Sequence, residues 1–202
     1  MELMGEGNKD RLCQYACGRN FEVLKWAFNE LNLPWAQNPA GPVSDDVLAL
    51  RVLRDAWQCP CCRNDRWWPV GARPEDWEGV TMENGRVVKL KLNDICLDGA
   101  VPAEIGRLTS LTVLNLGDNE LTSLPAEIGQ LTSLRWLHLS YNQLTSVPAE
   151  IWLLPSLEVL SLNNNRLTSV PAAIREFRAA GCRVSLDYDV TYDIRSYMRA
   201  HG

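Results

Sequence analysis

A repeat of 23 residues is the feature that most constrains the fold of this chain. Three successive segments share a run of leucines spaced LxxLxL, and they begin at Leu111, Leu134 and Leu157. The proline and the isoleucine that follow keep this spacing over four units, at Pro102, Pro125, Pro148 and Pro171 and at Ile105, Ile128, Ile151 and Ile174. A register held over four units indicates a tandem array of one supersecondary unit, in which neighbours bury each other's apolar faces.

The residue pattern inside one unit predicts its local structure. Alternating leucines in LxxLxL point to one side of a short strand and the polar residues between them point to the other. The Pro-x-x-Ile-x-x-Leu half, as in Pro125 to Leu131, has helix-like spacing and is expected to form a short turn or helix. Asn119, Asn142 and Asn165 fall where the chain leaves the strand, where a buried amide can satisfy backbone groups of the turn.

The segment LxxLxLxxNxL resembles the leucine-rich-repeat family and is matched by Leu111, Leu114, Leu116, Asn119 and Leu121. The resemblance implies an α/β solenoid over residues 87–178, with a short curved parallel sheet, helical or 3-10 turns on the convex side, and an asparagine ladder. A first unit from Val87 departs from the pattern, because Ile95 stands where asparagine is expected. We interpret it as an atypical first repeat.

The residues before the repeats, 44–86, are expected to form an N-terminal cap. The stretch from Ser44 to Gln58 has apolar residues at near-helical spacing, with Ser44 as the N-cap. The segment around Trp77 resembles the cap of plant-type repeat proteins, a Cys-x-Trp-x-Gly-Val-x-Cys element, but Glu75 and Met82 stand in place of its two cysteines. The disulfide of the secreted version therefore cannot form, and the Asn-Gly turn that follows predicts a hairpin of 79–82 with 86–92.

We expect a helical extension at the amino-terminal end of the chain and a cap at the carboxyl-terminal end. Residues 1–43 suggest two helices and a linker and resemble a single divergent ankyrin-type unit. Residues 179–202 form the C-terminal cap and tail, in which 183–186 supply a last strand after a break of one residue in the register.

Composition argues against several classes of function. The net charge of -5 argues against a nucleic-acid backbone as the main partner, and no stretch approaches the roughly 20 apolar residues that cross a bilayer. The seven cysteines are odd in number and no Asn-x-Ser/Thr site is present, which favours a reducing compartment. We therefore expect a cytoplasmic monomer that binds neither membrane nor nucleic acid.

The strand positions between the leucines form the concave face in this family, which commonly uses that face for partners. We expect the protein-binding residues to be Lys91, Asn115, Trp136, His138, Tyr141, Val159, Ser161 and Asn163. The three rings at Trp136, His138 and Tyr141 are the sharpest feature, because large exposed rings suit a contact surface. The alternative is that Trp136 only covers the aliphatic parts of Val113 and Val159.

Catalytic and metal sites are not expected. The predicted strand neighbours of His138 offer neither a nucleophile nor a carboxylate in a catalytic arrangement. The cluster of Cys59, Cys61 and Cys62 lacks a second pair of ligands, so a turn with thiols that can oxidise is favoured over zinc. Trp152 replaces the glycine of the two preceding units and is either a second contact point or a plug over the neighbouring turn.

The sequence therefore predicts a non-enzymatic module, without cofactor, that binds a protein through its concave face. The family resemblance implies a scaffold in intracellular signalling. Two alternatives remain open. One is the substrate-recognition subunit of an enzyme complex such as a ubiquitin ligase or a phosphatase, and the other is a truncated repeat protein without a dedicated ligand.

Overall fold

The computed structural model describes residues 44–57, 68 and 73–193. The predicted helix pair in 1–43 and the cysteines at 59, 61 and 62 lie outside the described residues. Two α-helices are described, α1 (Asp45–Ala56) and α2 (Ile174–Ala179). The strands are β1 (Val80–Glu83), β2 (Arg86–Lys91), β3 (Asp98–Ala100), β4 (Val113–Asn115), β5 (Glu120–Ser123), β6 (Trp136–His138), β7 (Val159–Ser161), β8 (Ser169–Pro171), β9 (Arg183–Ser185) and β10 (Thr191–Asp193).

The main sheet has six strands in the order β1-β2-β4-β6-β7-β9. Within this sheet the neighbouring strands β2, β4, β6, β7 and β9 run parallel, and successive units contribute one strand each. Strand β1 pairs antiparallel with β2. The pairs Val113↔Trp136 and Trp136↔Val159 keep the 23-residue period, whereas Lys89↔Val113 and Val159↔Arg183 each include one extra residue. The predicted solenoid and its last strand are therefore confirmed.

The core lies between this sheet and a row of short helices on the convex side. The middle leucines of neighbouring strands are register partners and have no exposed surface, namely Leu90, Leu114, Leu137 and Leu160. The opposite wall consists of the 3-10 helices Ala103–Arg107, Ala126–Gln130 and Ala149–Leu153, with α1 beside the first of them and α2 beside the last. A further 3-10 helix, Pro74–Asp76, lies against β1. Each repeat helix points a fully buried isoleucine at the strand leucines, as the Pro-x-x-Ile spacing predicts.

Glycine is required where the first two convex helices meet their neighbours. A Cβ on Gly106 would lie 2.5 Å from the backbone oxygen of Glu127, and one on Gly129 would lie 2.6 Å from the Cβ of Glu150. Trp152 stands at the same place in the next unit, where the neighbour is α2 instead of another 3-10 helix. Its ring meets that of Phe177 edge to face at a centroid distance of 5.7 Å and is 9% exposed, so Trp152 is a plug over the neighbouring turn.

An asparagine ladder follows the carboxyl ends of the strands. Asn142 is 8% exposed, its Oδ1 accepts from the backbone N–H of Leu121 at 2.9 Å, and its Nδ2 donates to the carbonyl of Leu116 at 2.9 Å. Asn119 and Asn165 bond in the same way one unit earlier and one unit later. Because buried backbone groups must be paired, each side chain fastens its own turn to the preceding one.

The two ends of the ladder differ from its middle. The N–H of Ile95, which stands where asparagine is expected, is bonded to Asn119 Oδ1 at 3.3 Å. The second unit thus supplies the hydrogen-bond acceptor for the turn of the first unit. At the other end, Asp187 Oδ1 accepts from the N–H of Asn164 at 2.8 Å and Oδ2 accepts from the N–H of Asn165 at 3.4 Å, which replaces the carbonyls of a further repeat.

The N-terminal cap closes the other end of the core. The side chain of Ser44 accepts from the N–H of Val47, so α1 begins at the predicted N-cap. The predicted hairpin is present as β1 and β2, with a left-handed turn at Asn84 and Gly85. Trp68 and Trp77 stack at a centroid distance of 4.9 Å beneath it.

Two small parallel ladders were not predicted. Strand β3 pairs with β5, and β10 pairs with β8, so the chain forms further backbone hydrogen bonds beside the main sheet. The segment after β9 therefore returns to the side of the last repeat as β10.

Candidate functional site

Parallel rows of side chains make up the concave face. We name them by their order along the strands. The first row contains Lys89, Val113, Trp136, Val159 and Arg183, and the second contains Lys91, Asn115, His138, Ser161 and Ser185. Partners in one row stand on adjacent strands, which are about 4.8 Å apart in such a sheet. Six of the eight predicted contact residues therefore fall on the strands, in adjacent rows.

The apolar centre of the face is Trp136 between its register partners Val113 and Val159. The Trp136 side chain is 46% exposed, and the two valines are partly buried. About half of the Trp136 surface is therefore covered and half is open to solvent. This placement agrees with the aliphatic cover that the alternative interpretation requires, and it also leaves a large ring surface open to a partner.

The second row is polar. His138 Nδ1 lies 3.3 Å from the hydroxyl oxygen of Ser161, its register partner, and Asn115 stands on the other side. Asn115 Nδ2 donates to Asn93 Oδ1 at 3.2 Å. These four side chains present hydrogen-bonding groups along the solenoid. Over the described part of the chain, no group of three or more His, Cys, Asp and Glu residues is arranged to hold a metal ion.

Tyr141 lies at the corner where the chain leaves the third repeat strand, with φ 56° and 55% of its surface exposed. The same left-handed conformation recurs at Asp94, Asp118 and Asn164. Tyr141 is held there by its N–H, which donates to the carbonyl of Asn163 at 3.0 Å. The Asn163 side chain in turn accepts from Ser140 Oγ at 3.0 Å. Tyr141 is thus at the margin of the face, with its backbone fixed.

Two charged residues beside Trp136 were not predicted. Glu158 accepts a hydrogen bond from Arg135 Nε at 2.8 Å. This bond is the main reason that the pKa of Glu158 lies below its ordinary value of 4.5. Partial desolvation raises the pKa. The charge of Arg135, the polar group of the Trp136 side chain and the charge of Arg183 lower it further. The carboxylate therefore stays ionised near neutral pH, next to Val159, the register partner of Trp136.

Arg183 was also missed as a member of the concave face. It pairs with Val159 in the first row, one residue later than the 23-residue period predicts. The predicted last strand 183–186 already contained it, and extending the rows of the concave face to that strand would have located it.

Comparison with known proteins identifies the repeated segment. The family model for leucine rich repeats matches residues 89–144 and again residues 109–167. Residues 89–167 are leucine-rich repeats. The matched region contains the whole apolar centre and both central units of the concave face.

Two solved structures of leucine-rich-repeat ectodomains resemble this chain. The BIR2 ectodomain from Arabidopsis thaliana has a TM-score of 0.60 and 27% identity, with 71% of this chain and 82% of that chain covered. The GASSHO1/SCHENGEN3 ectodomain from the same plant, solved with CASPARIAN STRIP INTEGRITY FACTOR 2, has a TM-score of 0.62 and 24% identity. That match covers 73% of this chain and 18% of the other, and it shows the fold alone.

A likeness in sequence links the repeats to a plant receptor. Phytosulfokine receptor 2 of Arabidopsis thaliana is 36% identical over 80 residues, which are 38% of this chain and 8% of the receptor. The chain thus spans a small fraction of that relative's length. Over the residues described by the structure, no helix has the length and apolar character needed to cross a membrane.

Proposed function

We propose that the leucine-rich repeats bind a protein partner through the concave face, with Trp136 and Tyr141 as the principal contacts and Lys91, Asn115, His138, Val159, Ser161 and Asn163 around them. The observation that carries the proposal is the exposure of both rings, 46% for Trp136 and 55% for Tyr141, on the central unit of the face. Tryptophan and tyrosine are enriched among the residues that dominate binding energy at protein interfaces.

The surroundings of the two rings support a binding role. Trp136 is fixed on a strand between two paired strands, with Val113 and Val159 as its register partners. A contact held in place before binding loses little conformational entropy on association, which favours affinity. The polar second row, from Asn115 to Ser161, supplies hydrogen-bonding groups of the kind that orient a partner.

The comparisons support a protein-interaction module. The GASSHO1/SCHENGEN3 ectodomain, similar in fold, was solved with a protein or peptide ligand. Extending partner binding to this chain is our proposal, as is the absence of an enzymatic activity. We further propose that the module acts as a scaffold or a recognition subunit, whose enzyme would be a separate chain.

We also propose an intracellular location, as the missing cap cysteines suggest. Glu75 lies in the first 3-10 helix and Met82 lies in β1, so neither position contributes a disulfide. The receptor ectodomains among the similar structures favour the opposite compartment. Protease protection of the protein in intact cells tests this directly: digestion from outside would place the repeats at the cell surface and contradict the proposal.

Affinity capture with three forms of the full chain tests the binding proposal. The first is the wild type, the second carries Trp136→Ala and Tyr141→Ala, and the third carries Leu153→Ala on the convex side. Leu153 is 76% exposed, so the third form removes an exposed apolar side chain away from the concave face. Circular dichroism confirms that each form is folded. We expect a partner retained by the wild type and the Leu153 form and lost from the double variant; equal capture by all three would exclude the concave site.

A further inference from the structure

The charges on the concave face are unevenly distributed. Lys89 in the first row and Lys91 in the second are exposed neighbours at the amino-terminal end of the face. We call this pair the basic end. Within the part of the chain that the structure describes, neither ammonium group has a carboxylate within 4.0 Å. The basic end is therefore available to an anionic group of a partner, even though the whole chain carries a charge of -5.

The opposite end of the first row is less suited to an anion. Arg183 is exposed there, but it stands beside Glu158 of the preceding unit, with its backbone N–H donating to the carbonyl of Glu158 at 2.8 Å. Glu158 would repel an incoming carboxylate and weaken its attraction to Arg183. The basic end is thus the better acceptor of negative charge on this face.

The apolar centre lies two strands away from the basic end. Strand β2 carries Lys89, β4 carries Val113, and β6 carries Trp136 in the same row. Two strand spacings amount to about 10 Å. A peptide in the extended polyproline II conformation rises about 3.1 Å per residue with three residues per turn, so side chains three positions apart lie about 9 Å apart on the same side of the peptide. Resting on the proposed function, we propose that the partner is an extended acidic peptide segment, with a carboxylate at the basic end and an apolar side chain about three residues away on Trp136.

A peptide fits this surface better than a nucleic acid. The corner residues Asp94 and Asp118 are exposed at the carboxyl ends of the strands that carry the basic end and its neighbour. A polymer with a negative charge on every unit would meet these carboxylates as well as the lysines, and the chain repels it overall. A segment with one or two carboxylates places its charge on the lysines alone.

A set of labelled decapeptides tests the proposal on the full chain. Each peptide carries one glutamate and one phenylalanine in a neutral background, with the phenylalanine one to six positions away from the glutamate, and binding is followed by fluorescence anisotropy. We expect the tightest binding at a spacing near three. Exchanging the peptide glutamate for glutamine, or introducing Lys89→Gln and Lys91→Gln together, should weaken binding about tenfold, as two exposed ion pairs would.

The controls separate this inference from the proposed function. Arg166→Gln removes an exposed cation outside the concave face and should leave binding unchanged. Binding that is lost in Trp136→Ala but is indifferent to both lysines and to the peptide charge would overturn the acidic segment and leave concave-face recognition standing. The acidic-segment proposal would also be overturned if peptides with glutamate bound no more tightly than peptides with lysine in its place. Displacement of the acidic peptide by oligothymidylate at equal concentration would overturn it as well.

Discussion

The carboxylate of Asp46 in the capping helix accepts a hydrogen bond of 2.7 Å from the backbone N–H of Val87 in the first repeat strand. The Asp46 side chain is 1% exposed, and its other oxygen lies 2.9 Å from Nε of Arg86. A buried carboxylate is costly unless it is paired, and here one oxygen accepts a backbone hydrogen bond while the other forms an ion pair, without hydrogen-bond geometry, with a residue of the same strand. This link between α1 and β2 joins the cap to the repeats across 41 residues of sequence.

We expect Asp46→Ala to lower the free energy of unfolding by about 2–3 kcal/mol, because it leaves the N–H of Val87 buried and unpaired. Urea denaturation followed by circular dichroism measures the change. Asp98→Ala, which removes an exposed carboxylate from β3, is the matched control and should stay within about 0.5 kcal/mol of the wild type. Equal stability of the two variants would show that the cap is not fastened through Asp46.

Asn142→Ala should be as damaging as the loss of Asp46. It removes the acceptor for Leu121 N–H and the donor for the carbonyl of Leu116, both in the preceding turn. We expect a loss of about 2–3 kcal/mol in the same denaturation experiment, since two buried backbone groups lose their partner. Asn93→Ala, at an exposed side chain bonded to another side chain, should cost less than about 0.5 kcal/mol. If the asparagine ladder did not stabilise the fold, Asn142→Ala and Asn93→Ala would have the same urea midpoint.

Gly106→Ala tests the spacing of the convex helices. The new Cβ would lie 2.5 Å from the backbone oxygen of Glu127, and the neighbouring helix must shift to avoid it. Overpacking of this kind costs about 1–3 kcal/mol. Gln130→Ala, at an exposed position of the neighbouring helix, serves as the control for helix composition. A thermal midpoint for Gly106→Ala at or above that of the control would contradict the close approach.

The lowered pKa of Glu158 predicts a dependence on pH. Because the folded pKa lies below the ordinary value of 4.5, the ion pair with Arg135 contributes its stability above that value and loses it as the pH falls through the folded pKa. Glu158→Gln should therefore be less stable than the wild type at pH 7, and the difference should shrink as the solution becomes acidic. The contribution of so exposed a pair is small. Urea midpoints of both proteins over a pH series measure it, and a difference that grows in acid would contradict the assignment.

The repeating part of the fold was predictable because its signal recurs. Leu114 and Leu137 share one position of the period, and the register of β4 with β6 follows from counting 23 residues. Ser44 and the turn at Asn84 also belong to local patterns with known geometry. The parallel solenoid, the hairpin and the capping helix were therefore all within reach of sequence analysis.

What could not be predicted depends on contacts without a local pattern. Asp46 lies in the first turn of α1 beside Asp45, a position typical of an exposed acidic residue, and nothing near it in sequence points to Val87. The pairing of β3 with β5 involves the segment Asp98–Ala100, which has no alternation of apolar residues. At the site, the strand positions follow from the period, but the bond of Glu158 to Arg135 joins residues on adjacent units and depends on side-chain conformations.

Site-specific photocrosslinking tests the central claim, that the concave face binds the partner, most directly. Benzoylphenylalanine is introduced at position 136, at position 141 or at position 153 of the full chain, and each protein is irradiated in the native lysate. The first two positions lie on or beside the concave face and the third lies on the convex side. We predict the same adduct from positions 136 and 141 and none from 153. An adduct from 153 alone, or equal adducts from all three, would contradict concave-face recognition.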